Sequence, residues 1–178
     1  MRYVALVVFI TLVSVFMLAG SPCYAEEKSQ SSSLEEHNKS IVLRYFQEVL
    51  DGKQFATTEE LFTPNSVIHR PEGTVSNLSF IKMFFELALS DLTVKTTIHD
   101  IFASGDRVCV RLSHRMTYSS KQTFLQSRIG AFDVSGKTIQ CDSMGIFRFE
   151  DGKIAEEWIS RDELGILMQV GKLELTAK

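Results

Sequence analysis

The chain has 178 residues, 44% hydrophobic and 23% charged, with 10 Gly and 3 Pro. That composition is globular and excludes collagen-like and low-complexity disordered classes. Lys and Arg number 19 against 22 Asp and Glu, a net charge of -3, and no two basic residues are adjacent; the sequence thus offers no electrostatic footprint for nucleic acid or anionic lipid.

Residues 1–25 read as a secretory signal. Arg2 supplies the positive end, Val4 to Leu18 is apolar and uncharged, and Ala25 is a small residue suited to cleavage before Glu26. The expected location is therefore periplasmic or secreted, with no membrane contact once the signal is removed. An uncleaved anchor stands as the alternative, because the apolar run approaches the roughly 17 to 25 residues that a spanning helix needs. Residues 26–33 are polar and Ser-rich, which suits a flexible lead, and the domain is expected over 34–178.

The domain opens with a capping-box pattern, Ser33 and Glu36. Ile41, Val42, Tyr45, Phe46, Val49 and Leu50 then recur at threes and fours, predicting an amphipathic helix that stops at Asp51-Gly52 with the glycine in a left-handed cap. A short helix is expected over Thr58–Phe62, stopped by Pro64, and a third from Ser79 to Leu89 after Asn77, with Phe80, Phe84 and Leu87 on one face. From Thr93 the period falls to two and β-branched residues become common. Turns are expected at Ser104-Gly105-Asp106, Ser135-Gly136-Lys137 and Asp151-Gly152, the last a two-residue hairpin signal. A helical pattern returns at Leu164, Leu167 and Met168. Helices first and strands later give an α+β class: a cone-shaped, curved antiparallel sheet with the N-terminal helices packed over its concave face, leaving a hollow between them.

Several residues carry the chemistry that such a hollow needs. His114 lies in the alternation Val108, Val110, Leu112, His114, Met116, on the apolar side of a strand; it reads either as a satisfied core histidine or as a pocket acid or base. Trp158 shares strand parity with Ile154 and is expected as an inward wall. Arg148 shares a face with Ile146 and Met144, where it binds an anionic ligand group or pairs with Asp142 or Glu156. Phe84, beside Phe80 and Phe85, and Tyr45 on the first helix are candidates for lining the cavity. His37 and His99 are expected in solvent. Cys109 and Cys141 fall in strands, as a disulfide or as two small buried hydrophobes. No Cys-x-x-Cys, His-Glu-x-x-His, Gly-x-Gly-x-x-Gly or Gly-x-Ser-x-Gly spacing occurs, so neither metal nor cofactor is expected.

The helix from Asn38 with Asp51-Gly52, the run Val67-Ile68-His69-Arg70-Pro71, the segment Phe147 to Ile154, and Glu157-Trp158 with Asp162 followed by Leu164 to Gly171 resemble the SnoaL-like ester cyclase family, of the nuclear transport factor 2-like cone fold. The resemblance covers Asn38 to Gly171. It implies a cofactor-free cyclase for polyketide-type substrates, in which a pocket aspartate moves protons during an intramolecular aldol condensation. By position in Trp-x-x-x-Asp that residue is Asp162, and His69 is its assistant if it points into the hollow. Arg70 departs from the family, standing where relatives often carry an acid. A competing role for Asp162 is local: Ser160 and Glu163 form a second capping-box pattern around it. The resemblance also implies a homodimer through the outer face of the sheet. The expected partner is a small apolar carbonyl compound, turned over or, in the alternative reading, bound without turnover by a periplasmic binding module.

Overall fold

The computed structural model describes residues 22–127 and 130–171. The chain divides into two compact units, Met1–Ser33 and Leu34–Lys178. Of the first unit only residues 22–33 are described, so most of the expected signal lies outside the described residues. Among the described residues no helix is long and apolar enough to cross a membrane.

Helix α1 spans Pro22–Arg44 and runs on as a π-helical segment, Tyr45–Asp51. Residues 26–33 are therefore helical rather than a flexible lead. Pro22 suits a first helical position, and no Gly or Pro follows before Gly52 to interrupt it. The Ser33 capping pattern consequently falls inside a helix already under way. Ile41, Val42, Tyr45, Phe46, Val49 and Leu50 are all buried, as their spacing predicts. Gly52 is right-handed, not left-handed, at φ -90°. Its small size matters instead, since a Cβ there would stand 2.8 Å from the Glu48 carbonyl oxygen.

A short 3-10 turn, Phe55–Thr57, leads into α2 (Thr58–Leu61), after which β1 runs over Phe62–Arg70 and β2 over Gly73–Ser76. Helix α3 covers Leu78–Ala88 and is capped by Asn77, whose side chain accepts the Ser79 N–H at 3.1 Å. Its buried residues are Ile81 and Phe85, while Phe80 and Leu87 are exposed. The expected face was thus off by one residue; the buried side is the one opposite the polar stripe of Ser79, Lys82 and Glu86. Strands β3 (Leu92–Ser104), β4 (Arg107–Tyr118), β7 (Thr138–Glu150) and β8 (Lys153–Arg161) follow, with a small ribbon, β5 (Phe124–Ser127) and β6 (Gly130–Asp133), and a terminal helix α4 (Glu163–Gln169).

The fold is α+β. Six strands form one curved, open sheet in the order β2-β1-β8-β7-β4-β3. It is mixed rather than wholly antiparallel, because β1 and β8 pair in parallel. The β7–β8 hairpin turns at Asp151 and Gly152, both with positive φ, as the two-residue signal predicts. On β4 and β7 the alternation sends Val108, Val110, Leu112, Met116 and Tyr118, with Ile139, Cys141, Phe147 and Phe149, into the core. Cys109 stands on the opposite parity and is paired in register with Ile146, whereas Cys141 is paired with His114. Both thiols are free, so the disulfide alternative gives way to two separate cysteines.

One irregularity decides where the site residues point. In β8, Arg148 pairs with Glu156 but Phe149 pairs with Ile154, leaving Ala155 as an extra residue, a β-bulge. Beyond it, parity is reversed relative to Ile154. Glu157, Ile159 and Arg161 therefore share the inward face, and Trp158 turns outward.

Candidate active site

A cavity of about 590 Å³ opens between the concave face of the sheet and helix α3. Its walls are largely apolar: Leu50, Val94 and Met116 from the core, Phe84, Phe85 and Leu87 from α3, and Phe124 and Leu125 from the β5 ribbon. Polar groups make up the rest of the wall, among them Arg70, Glu72, Asp91, His114, Tyr118 and Arg161.

Arg70, at the end of β1, is the centre of a buried polar cluster. Its Nη2 donates to both oxygens of Glu157, at 3.0 and 3.1 Å, and to the Tyr45 hydroxyl. Tyr45 in turn donates to Glu157 Oε1 at 3.2 Å. Tyr45 and Glu157 are fully buried, and Tyr45 sits amid Phe46, Phe62, Phe85 and Phe147. Burial pushes the Glu157 carboxyl up, opposed by Arg70 and by the Tyr45 hydrogen bond. For Arg70 burial works against the charge, but Glu157, Tyr45 and Glu72 outweigh it and hold the guanidinium above its ordinary value. Arg70 therefore stays charged and Glu157 is its counter-ion. Arg161 is similarly compensated, by Glu72 at 3.3 Å and by Glu163. The cavity thus carries cations without net positive charge.

His114 on β4 lines the same cavity. Its Nδ1 lies 3.0 Å from the Thr96 hydroxyl, and Thr96 is tied to Asp51 twice: Oγ1 donates to Oδ1 at 2.7 Å and the backbone N–H donates to Oδ2 at 2.9 Å. Burial, reinforced by the Arg70 charge, pulls the imidazole down to about 4, so the ring is neutral at pH 7. Tyr118 is pushed up to about 12 by burial and remains a phenol.

The structure brings together His114 and Phe84 at the cavity wall, with Tyr45 buried directly behind Arg70. Four expected site residues lie elsewhere. Asp162 is exposed and caps α4, its carboxylate accepting the Gly165 N–H at 2.9 Å; the capping pattern describes it, not the proton-transfer role. His69 stands on the outer face, stacked on Trp158 with ring centroids 5.5 Å apart and bonded to Glu156 at 2.9 Å. Trp158 is outward because of the Ala155 bulge, and Arg107 lies over its ring. Arg148 also faces outward and takes the pairing alternative, with Glu156 at 3.2 Å. His99 bonds Ser113 at 3.0 Å and His37 lies near the Gly152 carbonyl.

Glu157, Asp51, Thr96 and Arg161 were not singled out from the sequence. Glu157 is hidden by the bulge, which no period-two pattern reveals. Arg70 carried a signal, as the cation standing where relatives carry an acid. Among the described residues no three His, Cys, Asp or Glu side chains converge as a metal-ligand set.

A family model of SnoaL-like polyketide cyclases matches residues 40–170. No curated protein matches the chain. Among solved structures, a SnoaL-like polyketide cyclase from Agrobacterium tumefaciens is similar, with 22% identity over 75% of this chain and 98% of that one and a TM-score of 0.61. An LEH-like epoxide hydrolase from M. tuberculosis shares 13% identity over 76% and 86% of the two chains, at a TM-score of 0.62. TsrD from Streptomyces laurentii shares 18% over 76% and 96%, also at 0.62. Identities this low establish the fold, the nuclear transport factor 2-like cone, and the family match establishes kinship. The chain belongs to the SnoaL-like polyketide cyclase family.

Proposed function

We propose that the cavity binds a small, uncharged, largely apolar carbonyl compound and acts on it by cofactor-free acid–base chemistry, of which intramolecular aldol cyclisation is the family's form. The observation that carries this reading is the charge-compensated pair of guanidinium groups, with His114, on the wall of a mainly apolar cavity. Arg70 and Arg161 already have carboxylate partners, so a carboxylate ligand would compete with Glu157 and Glu72, whereas a neutral carbonyl oxygen needs only one donor. Arg70 Nη2 is committed to Tyr45 and Glu157, and the guanidinium on the cavity wall is the group that polarises a ligand oxygen. With the carbonyl polarised, the neutral His114 ring takes the proton from the adjacent carbon. The carbanion then attacks a second carbonyl, and the proton returns to the new alkoxide.

The test is hydrogen–deuterium exchange at the α-carbon of β-tetralone in D2O, followed by NMR. Exchange accelerated by the protein, and abolished by His114→Gln with the fold intact, supports the reading; a rate equal to buffer overturns it. A second reading, a binding module without turnover, has one observation in its favour: a ring pulled down to about 4 is a weak base. On that reading β-tetralone is not exchanged, and native mass spectrometry of the purified protein finds a retained, chemically unchanged small molecule.

The same proposal includes export, on the strength of Arg2, the apolar run Val4–Leu18 and Ala25, checked by N-terminal sequencing of the secreted chain. It also includes a homodimer. Phe102, Cys109, Ile146, Trp158 and His69 are successive register partners across five strands, so they form one transverse, mainly apolar row on the outer face. Phe102, Met144 and Ile146 are exposed there, a surface suited to a second copy of the chain.

A further inference from the structure

The direction of the hydrogen bonds running from Asp51 to His114 follows from a count of protons. The Asp51 carboxylate only accepts, and it takes both the backbone N–H and the hydroxyl of Thr96. A threonine hydroxyl has one proton, and that proton is committed to Asp51. Thr96 Oγ1 can then only accept from His114, 3.0 Å away, so His114 Nδ1 must carry hydrogen.

We propose that Asp51 and Thr96 are positioning residues which hold neutral His114 as its Nδ1–H tautomer, leaving Nε2 with a lone pair for whatever occupies the cavity. The clause about an occupant rests on the function proposed above; the tautomer itself does not. The local fold supplies the partners. Asp51 ends the π-helical segment, whose wider turns hold one residue more than an α-helix and end where β3 passes, and Thr96 is opposite His114 in the β3–β4 register. A ring whose second nitrogen is anchored this way meets a ligand with a fixed acceptor, the arrangement that ligand-facing histidines generally need.

Asp51→Asn gives an unusual test because it should reverse the chain of hydrogen bonds. The backbone N–H of Thr96 still requires an oxygen, so the new amide places its oxygen there and turns its NH2 toward Thr96 Oγ1. The hydroxyl then accepts from that NH2 and donates to His114 Nδ1, and the ring proton moves to Nε2. Long-range proton–nitrogen correlation NMR of the 15N-labelled full chain at pH 7 reports which ring nitrogen is protonated. The expected results are Nδ1–H in the wild type, Nε2–H in Asp51→Asn, a mixture in Thr96→Val, and restoration of Nδ1–H in Thr96→Ser. Nε2–H in the wild type, or an unchanged Nδ1–H in folded Asp51→Asn, overturns the proposal. Should Asp51→Asn fail to fold, the contrast between Thr96→Val and Thr96→Ser decides it alone, identical spectra overturning it.

The β-tetralone assay separates this proposal from the function it rests on. Asp51→Asn should lower kcat at least about tenfold with KM nearly unchanged, because a protonated Nε2 cannot take a proton. The expected tautomers without any wild-type exchange support the lock and defeat the catalytic reading. Wild-type exchange that Asp51→Asn leaves untouched removes Nε2 as the acceptor.

Discussion

Glu157 shows how strongly one side chain can depend on its neighbours. A carboxylate with no exposed surface is tolerable because Arg70 and Tyr45 together take its oxygens. Glu157→Gln keeps the shape but leaves the Arg70 charge uncompensated, and should cost about 3–5 kcal/mol in urea unfolding. Tyr45→Phe removes one hydroxyl and should cost nearer 1–2 kcal/mol. His114 adds a pH dependence. An unfolded imidazole takes up its proton near 6.5 and the folded one only near 4. Between those values the unfolded state binds more protons, so this contribution to stability is complete above about 6.5 and is lost as pH falls toward 4. Its size is at most about 3 kcal/mol, and unfolding curves at pH 7 and pH 4.5 should differ less in His114→Gln than in the wild type.

Elements were legible in the sequence wherever one periodicity held along their length. The α1 face could be read because polar residues interrupt its apolar positions every turn; all six expected positions are buried. Helix α3 was placed correctly but its buried face was not, although Ser79, Lys82 and Glu86 at i, i+3 and i+7 mark the solvent side opposite Ile81 and Phe85. Strand β8 was located too, and then misread beyond Ala155, so Trp158 was expected inside and Glu157 was overlooked. The error at Asp162 has a different origin, in a motif position whose local geometry is a helix cap. Asp162→Ala should therefore lower stability by about 1 kcal/mol, as a lost cap does, and leave β-tetralone exchange at the wild-type rate. A loss of exchange at unchanged stability would return Asp162 to the chemistry.

For the whole molecule, the mixed class and a sheet in the second half follow from the switch of periodicity near Thr93, but strands β1 and β2 precede it, between the helices, where only helices were expected. The parallel β1–β8 pairing does not follow from that switch, because it joins strands distant in sequence and leaves no local signature. Nor does the transverse row on the outer face, which exists only once the register is known. Ile146→Glu places a charge at the middle of that row. It should give a monomer by sedimentation velocity at concentrations where the wild type is a dimer, with the cavity and its exchange chemistry undisturbed. A wild-type monomer under the same conditions would discard the dimer.

Ala155 works on β8 much as an inserted nucleotide works on a reading frame. Counted along the sequence, every position downstream is shifted by one, so the adjacent residues Glu157 and Trp158 face the core and the outer side of the sheet respectively. Deleting Ala155 would leave Ile154 opposite Phe149 and Glu156 opposite Arg148 in one regular ladder, with Glu157 still inward and Trp158 still outward, whereas drawing Ala155 into regular pairing would exchange the two faces. Removal of Ala155 should therefore be tolerated better at that point of β8 than insertion of a further residue, which puts Glu157 and Trp158 at risk of changing faces.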